Sequence, residues 1–202
     1  MGRAAVKHNF GKKIDSLSTN DYDLLQIARV RIPDAALAST TAVHASAVCG
    51  IAQTTISTAI TNPVTPRVIT LTSGGTAADI KAVQAVVNGT NMADEVISET
   101  MPIFTVNTAT TVTGLKAFKT VTSIVVPAMD GAAAEVAVGT GPALGIPYKM
   151  EFATDVLKCY FAGAAETLAA QTVSATTLEL NTVTTTTALD GAKDLVIDLL
   201  VK

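Results

Sequence analysis

From about residue 23 onward, short runs of β-branched residues recur along the chain, and a turn-forming residue closes almost every one of them. About one residue in seven is threonine, and threonine, valine and isoleucine fit the pleated, half-buried surface of a strand. About ten such runs at a spacing near ten residues are typical of an antiparallel sandwich or barrel. The sequence therefore predicts an all-β domain, an antiparallel β-sandwich or a barrel-like fold, with an extended N-terminal arm.

Proline, glycine and asparagine set the boundaries of the predicted strands. Pro33 ends the first strand, and the segment TNPVTPR predicts a rigid extended connection because its prolines cannot sit in an inner strand. Asn88-Gly89 predicts a hairpin turn, Gly114 a bend within 111–126, GTGPALGIP a loop, and Asp190-Gly191 a turn before the last strand. The run 67–73 alternates with period two, which predicts one buried face. The predicted strands are 25–32, 42–48, 54–60, 67–73, 80–87, 95–101, 116–126, 135–138, 156–161, 168–173, 177–180 and 195–201.

Two regions are expected: an N-terminal arm over residues 1–21, and a β domain over 22–202 with a possible subdivision near 150. The arm is polar, but Phe10, Ile14 and Leu17 recur at a spacing of four and three residues. These three side chains are the expected anchors of the arm. Docking on a neighbouring subunit and docking on the arm's own domain both fit this pattern.

The composition favours a protein whose surface is covered by partners. Hydrophobic residues make up 49% of the chain and charged residues 15%, against about 25% charged in an ordinary soluble domain. A modestly soluble free domain is the alternative. The net charge of −3 argues against nucleic acid as the main partner. A basic cluster at the N-terminus comprises Arg3, Lys7, Lys12 and Lys13. It is interpreted as a solvated tail in preference to a phosphate-binding site.

The sequence contains neither a run of about 18 apolar residues nor an apolar stretch after Met1 that would indicate a secretory signal. We therefore expect no membrane partner and synthesis in the cytoplasm of the producing cell. Cys49 and Cys159 could pair, but two free buried thiols are favoured in a cytoplasmic product.

Catalytic side chains are sparse, so neither an enzyme nor a bound cofactor or metal is expected. His8 and His44 fit no triad or metal spacing, and His44 is expected to be a hydrogen-bonded strand residue. Asp94, Glu95 and Glu99 form a carboxylate cluster that could serve as acid and base. Alternation along a strand instead predicts a solvated face for Glu95 and Glu99. The glycines of GTGPALG do not follow GxGxxG.

Several stretches resemble a recurring type of structural protein in the particles of tailed bacteriophages. They are ITNPVTPRVITLT, VVNGTNMADEVISETM, VTGLKAFKTVTSIVVP and VGTGPALGIPY, followed by the closing stretch TTLELNTVTTTTALDGAKDLVIDLLV. The resemblance covers roughly residues 42–202. It implies a structural role in a shell or on a particle surface, and it carries no activity.

Within that resemblance, head decoration (cement) proteins are the favoured type. This implies a virion location, binding to the major capsid protein and to copies of the same chain, and a trimer as the expected oligomer. The expected interface residues are Phe10, Ile14 and Leu17 in the arm and Leu144, Ile146 and Tyr148 in the predicted loop, with core packing as the alternative role for the loop residues. A tail tube or tail-completion protein is the second hypothesis. A carbohydrate-binding or adhesin module is the third, and the absence of tryptophan disfavours it.

Overall fold

The computed structural model describes residues 26–201, and 51% of these residues are in strands and 5% in helices. The prediction of an all-β, antiparallel fold is therefore confirmed. Short 3₁₀ helices span Ala77–Asp79, Ala153–Asp155 and Leu178–Leu180. The strands are β1 Gln26–Ile32, β2 Ser39–Val48, β3 Thr54–Ile56, β4 Arg67–Gly75, β5 Val86–Thr90, β6 Val96–Thr100, β7 Thr111–Phe118, β8 Thr120–Val126, β9 Ala134–Gly145, β10 Val156–Phe161, β11 Ala164–Ala165, β12 Leu168–Thr172, β13 Thr182–Thr185 and β14 Leu195–Val201.

The strands form three antiparallel sheets. The largest has the order β12-β13-β9-β4-β7, with β2 also paired to β9. A second sheet has the order β3-β8-β5-β6, and a third has the order β1-β14-β10-β11. In the third sheet the first described strand pairs with the last, and Gln26 is opposite Val201.

Two hydrophobic clusters fill the space between these sheets. The first cluster includes Ile69, Leu71, Val87, Phe118 and Ile124, from the two sheets that contain β4 and β8. The second cluster joins residues after position 150 to β1 and to the end of β9, and it includes Ile32, Leu144, Ile146, Phe161, Val183, Leu195 and Ile197. Strand β9 contributes to both clusters, because Val136 and Val138 lie in the first and Leu144 lies in the second.

The strand β4 is present as predicted, but the prediction that only one of its faces is buried is wrong. Ile69 and Leu71 face the first cluster, and Val68 and Thr70 on the opposite face are also buried. Strand β4 lies between β7 and β9 in its sheet. On the face opposite the first cluster, the side chains of Val68 and Thr70 lie close to Gly141. Both faces are therefore covered within the chain.

The hairpin of β5 and β6 exists, but its turn is not at Asn88-Gly89. Both residues lie inside β5, and residues 80–85 are outside any ladder. A Cβ atom at Gly89 would overlap the Thr120 carbonyl oxygen, so this glycine permits the close approach of β8 at a register shift. The turn is formed by Asn91, whose Oδ1 accepts hydrogen bonds from the backbone N–H groups of Ala93 and Glu95 at 2.9 and 3.1 Å.

The run 111–126 forms two strands in different sheets, and the break is at Lys119 instead of Gly114. Gly114 lies where the register of β7 against β4 shifts, and a Cβ atom there would collide with the carboxylate of Glu99. Glycine is needed at this position because a buried side chain passes close to the backbone.

Two further predictions are wrong: the loop over GTGPALGIP and the strand over 177–180. The residues GTGPALG form the second half of β9. Pro142 is exposed and lies where the register of β9 against β4 shifts. A proline is tolerated at such a position because the strand pairing does not need a backbone N–H there. Residues 177–180 hold the 3₁₀ helix Leu178–Leu180, and the neighbouring strand is β13. The predicted arm, residues 1–21, lies outside the described residues.

Candidate functional site

A groove with a volume of about 410 Å³ lies beside the end of β14. One wall is the loop that follows β9, and the other is the segment that precedes β13. The charged side chains at the groove are Lys149, Glu151 and Asp155. Its apolar lining consists of Pro147, Tyr148, Phe152, Ala175, Leu178, Leu200 and Val201.

The buried side chain of Asn181 fixes both walls of the groove. Its Oδ1 accepts hydrogen bonds from the N–H groups of Met150 and Ser174 at 3.0 and 2.8 Å. Its Nδ2 donates to the carbonyl oxygens of Ser174 and Thr177 at 2.9 and 2.8 Å. Because one satisfied amide holds both walls, the groove is preorganised.

A second set of hydrogen bonds presents the aromatic side chains at the groove. Asp155 Oδ2 accepts from the N–H groups of Glu151 and Phe152, both at 2.9 Å. The Phe152 side chain is 58% exposed and the Tyr148 side chain is 38% exposed. The hydrogen bonds of Asp155 therefore fix the backbone of a loop that leaves two aromatic rings partly exposed to water.

The chain enters the described structure next to this groove. Val201, which lines the groove, is paired with Gln26, the first described residue. The first described residue therefore lies beside the groove.

The structure places the sequence-predicted interface residues in three different settings. Tyr148 lies at the groove. Leu144 and Ile146 are buried in the second cluster, which is the core-packing role that the sequence left open. Phe10, Ile14 and Leu17 lie outside the described residues. Phe152, Leu178 and Leu200 also line the groove and were not predicted from the sequence. Phe152 lies only four residues after Tyr148. Because the chain has only three tyrosines and five phenylalanines, this pair of aromatic residues was the available signal.

The carboxylate cluster at residues 94–99 does not form a solvated face. Glu95 is exposed as predicted, but Glu99 is buried, so that part of the prediction is wrong. Glu99 Oε1 accepts hydrogen bonds from the N–H groups of Leu115 and Lys116 at 2.6 and 3.3 Å. Burial raises the pKa of Glu99, and these hydrogen bonds only partly oppose the rise. Asp94 forms an ion pair with Lys119 at 2.7 Å.

A second buried carboxylate lies near the first. Lys116 Nζ is 3.3 Å from Glu179 Oε1 and donates to the Ser98 carbonyl oxygen at 3.0 Å. Asn91 Nδ2 also donates to Glu179, at 3.4 Å. Two buried carboxylates could act as an acid and base pair, but these contacts engage them with backbone, lysine and amide groups. The cluster ties β6, β7 and the segment before β13 together.

Among the remaining side chains of interest, His44 is half-buried, and Cys49, Cys159 and Arg67 are buried. His44 is in β2 as expected, but its Nδ1 has no hydrogen-bond partner. Cys49 and Cys159 are free and buried, as favoured from the sequence, and burial raises the pKa of each thiol to about 11. Arg67 donates to the carbonyl oxygens of Ala36 and Gly141, both at 2.8 Å, and burial lowers its pKa to about 10.

Large apolar side chains are exposed at several places on the described surface. Four of them lie in β6, in β7 or in the segment between these strands. We use the name β6–β7 surface for these exposed side chains: Val96, Ile103, Val106 and Leu115. Val96 is 88% exposed and belongs to β6, which is an edge strand. Ser98 and Thr100 are also exposed along β6, so the outward positions of this strand carry no charge.

Comparison of the chain with protein-family models, with curated proteins and with solved structures gives no match. Within residues 26–201, no group of three or more histidine, cysteine, aspartate or glutamate side chains could hold a metal ion. In the same part of the chain, none of the helices has the length and apolar character needed to cross a membrane.

Proposed function

We propose that this chain is a non-catalytic structural subunit of a tailed-bacteriophage particle, and specifically a head decoration protein. In this role it binds the major capsid protein and other copies of itself, with a trimer as the favoured oligomer. The observation that carries the proposal is the edge strand β6, whose exposed positions carry no charge, together with the exposed apolar side chains that follow it in sequence. The resemblance of the sequence motifs to phage particle proteins supplies the biological setting.

The β6 edge departs from the way in which soluble monomers protect a sheet. Exposed edges normally carry charges, prolines or bulges that prevent pairing with other chains. Here Val96, Ser98 and Thr100 point outward, and β5–β6 pairing is regular over five residues. The Ser98 carbonyl oxygen already accepts a hydrogen bond from Lys116, so side-chain contact is expected to contribute alongside any strand pairing.

The proposed mechanism is addition of interface area. A standard protein interface buries about 1,600 Å² in total, and many identical joints on a shell act together because each bound copy raises the effective concentration of the next contact. Burial of the β6–β7 surface would stabilise each interface by about 25 cal/mol of free energy for every Å² of apolar area removed from water.

The experiment that tests the proposal is the mass of the purified chain in solution, alone and after mixing with empty capsids of the phage that encodes it. Trimers or monomers that co-sediment with the capsids support a decoration protein. Hexameric rings or tubes that ignore capsids overturn that assignment and indicate a tail tube protein.

A substitution at the edge strand tests the surface itself. Val96→Lys places a charge on β6 and should weaken self-association or capsid binding at least tenfold, because a desolvated lysine at an apolar joint is unfavourable. The matched control is Val64→Lys, at a side chain that is 85% exposed in the proline-rich connection. Equal binding by both variants and the unmodified chain would remove the β6–β7 surface from the proposal.

A further inference from the structure

We propose that residues 10–17 of the N-terminal segment occupy the groove of their own subunit, with Phe10, Ile14 and Leu17 against Tyr148, Phe152 and Leu178. This inference concerns the single subunit and does not depend on the function proposed above. It selects one of the two docking modes that the sequence left open.

The point at which the chain enters the domain makes this docking geometrically direct. Gln26 is paired with Val201, and Val201 lines the groove. Eight residues, 18–25, separate Leu17 from Gln26, and eight extended residues reach at most about 26–29 Å. That reach is long compared with the separation of two paired strands, about 5 Å, so the segment can return to the groove without strain.

The size of the groove favours the same subunit over a neighbour. Ten residues line it, whereas a stable interface between two free proteins engages about 20–30 residues on each side. A small contact suffices when a short linker holds the ligand at an effective concentration in the millimolar range. A neighbour's segment would have to compete with this local concentration.

The chemistry of the segment matches that of the groove. Phe10, Ile14 and Leu17 fall on one face if the segment is helical, because residues three and four apart are neighbours on a helix. The groove offers aromatic and aliphatic side chains on walls that Asn181 holds in place. Residues 10–17 carry Lys12, Lys13 and Asp15, a net charge of +1. The charged side chains that line the groove are Glu151, Asp155 and Lys149, a net charge of −1.

A single-tryptophan reporter tests the inference, because the natural chain contains no tryptophan. In the full-length Phe10→Trp variant, the emission maximum should lie at the short wavelength of a buried indole, and quenching by acrylamide should be several-fold weaker than for free tryptophan. Both signals should be independent of protein concentration and unchanged by an excess of the unmodified chain. An emission typical of water-exposed tryptophan would overturn the inference.

Two substitutions in the groove, each made in the Phe10→Trp background, locate the binding site. Phe152→Asp introduces a charge, and Ala175→Phe fills the groove from an exposed position. Both should shift the emission to longer wavelength and restore quenching. Their matched controls, Val64→Asp and Ala170→Phe, lie at exposed positions that do not line the groove and should change neither signal.

Two further results contradict the inference, and they can be distinguished from each other. A buried indole that ignores both groove substitutions means that the segment docks elsewhere. A buried indole that becomes exposed on dilution, or that an excess of unmodified chain displaces, means that the segment of a neighbouring copy fills the groove. Identical circular dichroism of the variants and the parent confirms that each substitution leaves the β domain folded.

Discussion

The two hydrophobic clusters of this protein are built from the chain in opposite ways. The first cluster uses strands that follow one another between Val43 and Val138. The second cluster needs both ends of the described chain, because β1 pairs with β14 across more than 160 residues. Loop closure makes distant pairings slower to form than local ones. Because β9 contributes to both clusters, we expect the second cluster to assemble after the first.

The two regions also treat charge differently. Around the first cluster, Glu99 is buried and its carboxylate accepts backbone N–H groups. On the third sheet, Arg29 and Asp198 form a bidentate ion pair at 2.6 and 2.9 Å, and Arg31 pairs with Asp194. In the first region a buried carboxylate therefore binds backbone N–H groups, whereas in the second region exposed ion pairs connect the first and last described strands.

The largest expected effect tests whether the two regions unfold as one unit. Phe118→Ala in the first cluster and Phe161→Ala in the second should each lower the free energy of unfolding by about 3–5 kcal/mol. Because β9 is shared by both clusters, we expect a single transition in each variant. The measurement is denaturant unfolding followed by far-ultraviolet circular dichroism, which reports all strands, and by tyrosine fluorescence.

The two described tyrosines, Tyr148 and Tyr160, both lie in the second region. If Phe118→Ala moved the dichroism midpoint and left the tyrosine midpoint unchanged, the regions would be independent and the shared role of β9 would be refuted. Ile103→Ala, at an exposed side chain, is the control and should change stability by no more than about 0.5 kcal/mol.

In the second region the sequence predicted two strands with their observed bounds, although the predicted strand 177–180 is a 3₁₀ helix. The strand 156–161 matches β10 and 195–201 matches β14, because apolar runs there end at clear breakers such as Asp190-Gly191. In the first region, Gly89 and Gly114 serve close approaches between chain segments. A glycine that allows a turn and one that makes room for a neighbour look identical in sequence, so only the tertiary structure distinguishes them.

The candidate groove was predictable only in part, for a related reason. Tyr148 was identified from the predicted loop, but Leu178 and Leu200 come from distant parts of the chain and read as ordinary strand residues. Asn181 follows a short apolar run, and nothing local indicates that its amide holds two walls. The burial of Glu99 was also hidden, because strand alternation gives two faces without showing which one meets the core.

Acid should affect the two regions with opposite sign. The pKa of Glu99 is raised by burial, so the folded chain binds this proton more tightly than the unfolded chain does. The Glu99 contribution to stability therefore increases as pH falls from neutrality through the raised pKa toward the ordinary value of 4.5. The pKa of Asp198 is lowered by its hydrogen bonds with Arg29, so its contribution is present above the ordinary value of 3.8 and is lost as pH falls through the lowered pKa.

The measurement is the free energy of unfolding against pH for Glu99→Gln, Asp198→Asn and the unmodified chain. Glutamine keeps a carbonyl oxygen for the N–H of Leu115 and cannot titrate, so relative to Glu99→Gln the unmodified chain should gain stability between neutral pH and pH 4.5. Its advantage over Asp198→Asn should instead shrink at lower pH. Parallel curves for Glu99→Gln and the unmodified chain would show that the carboxylate titrates equally in both states.

The smallest expected effect compares the exposed ion pair of the third sheet with the less exposed ion pair between Lys116 and Glu179. A double-mutant cycle on Arg29→Ala and Asp198→Ala should give a coupling energy of about 1 kcal/mol or less, because the Arg29 side chain is 67% exposed. The same cycle on Lys116→Ala and Glu179→Ala should exceed about 1 kcal/mol, since these side chains are only 29% and 9% exposed. Raising the salt concentration from 0.1 to 1 M shortens the screening length from about 10 to 3 Å, so it should weaken the first coupling and leave most of the second. A larger, salt-resistant coupling between Arg29 and Asp198 would mean that the first and last strands are held together by charge, and the contrast between the two regions would then lie in their apolar cores alone.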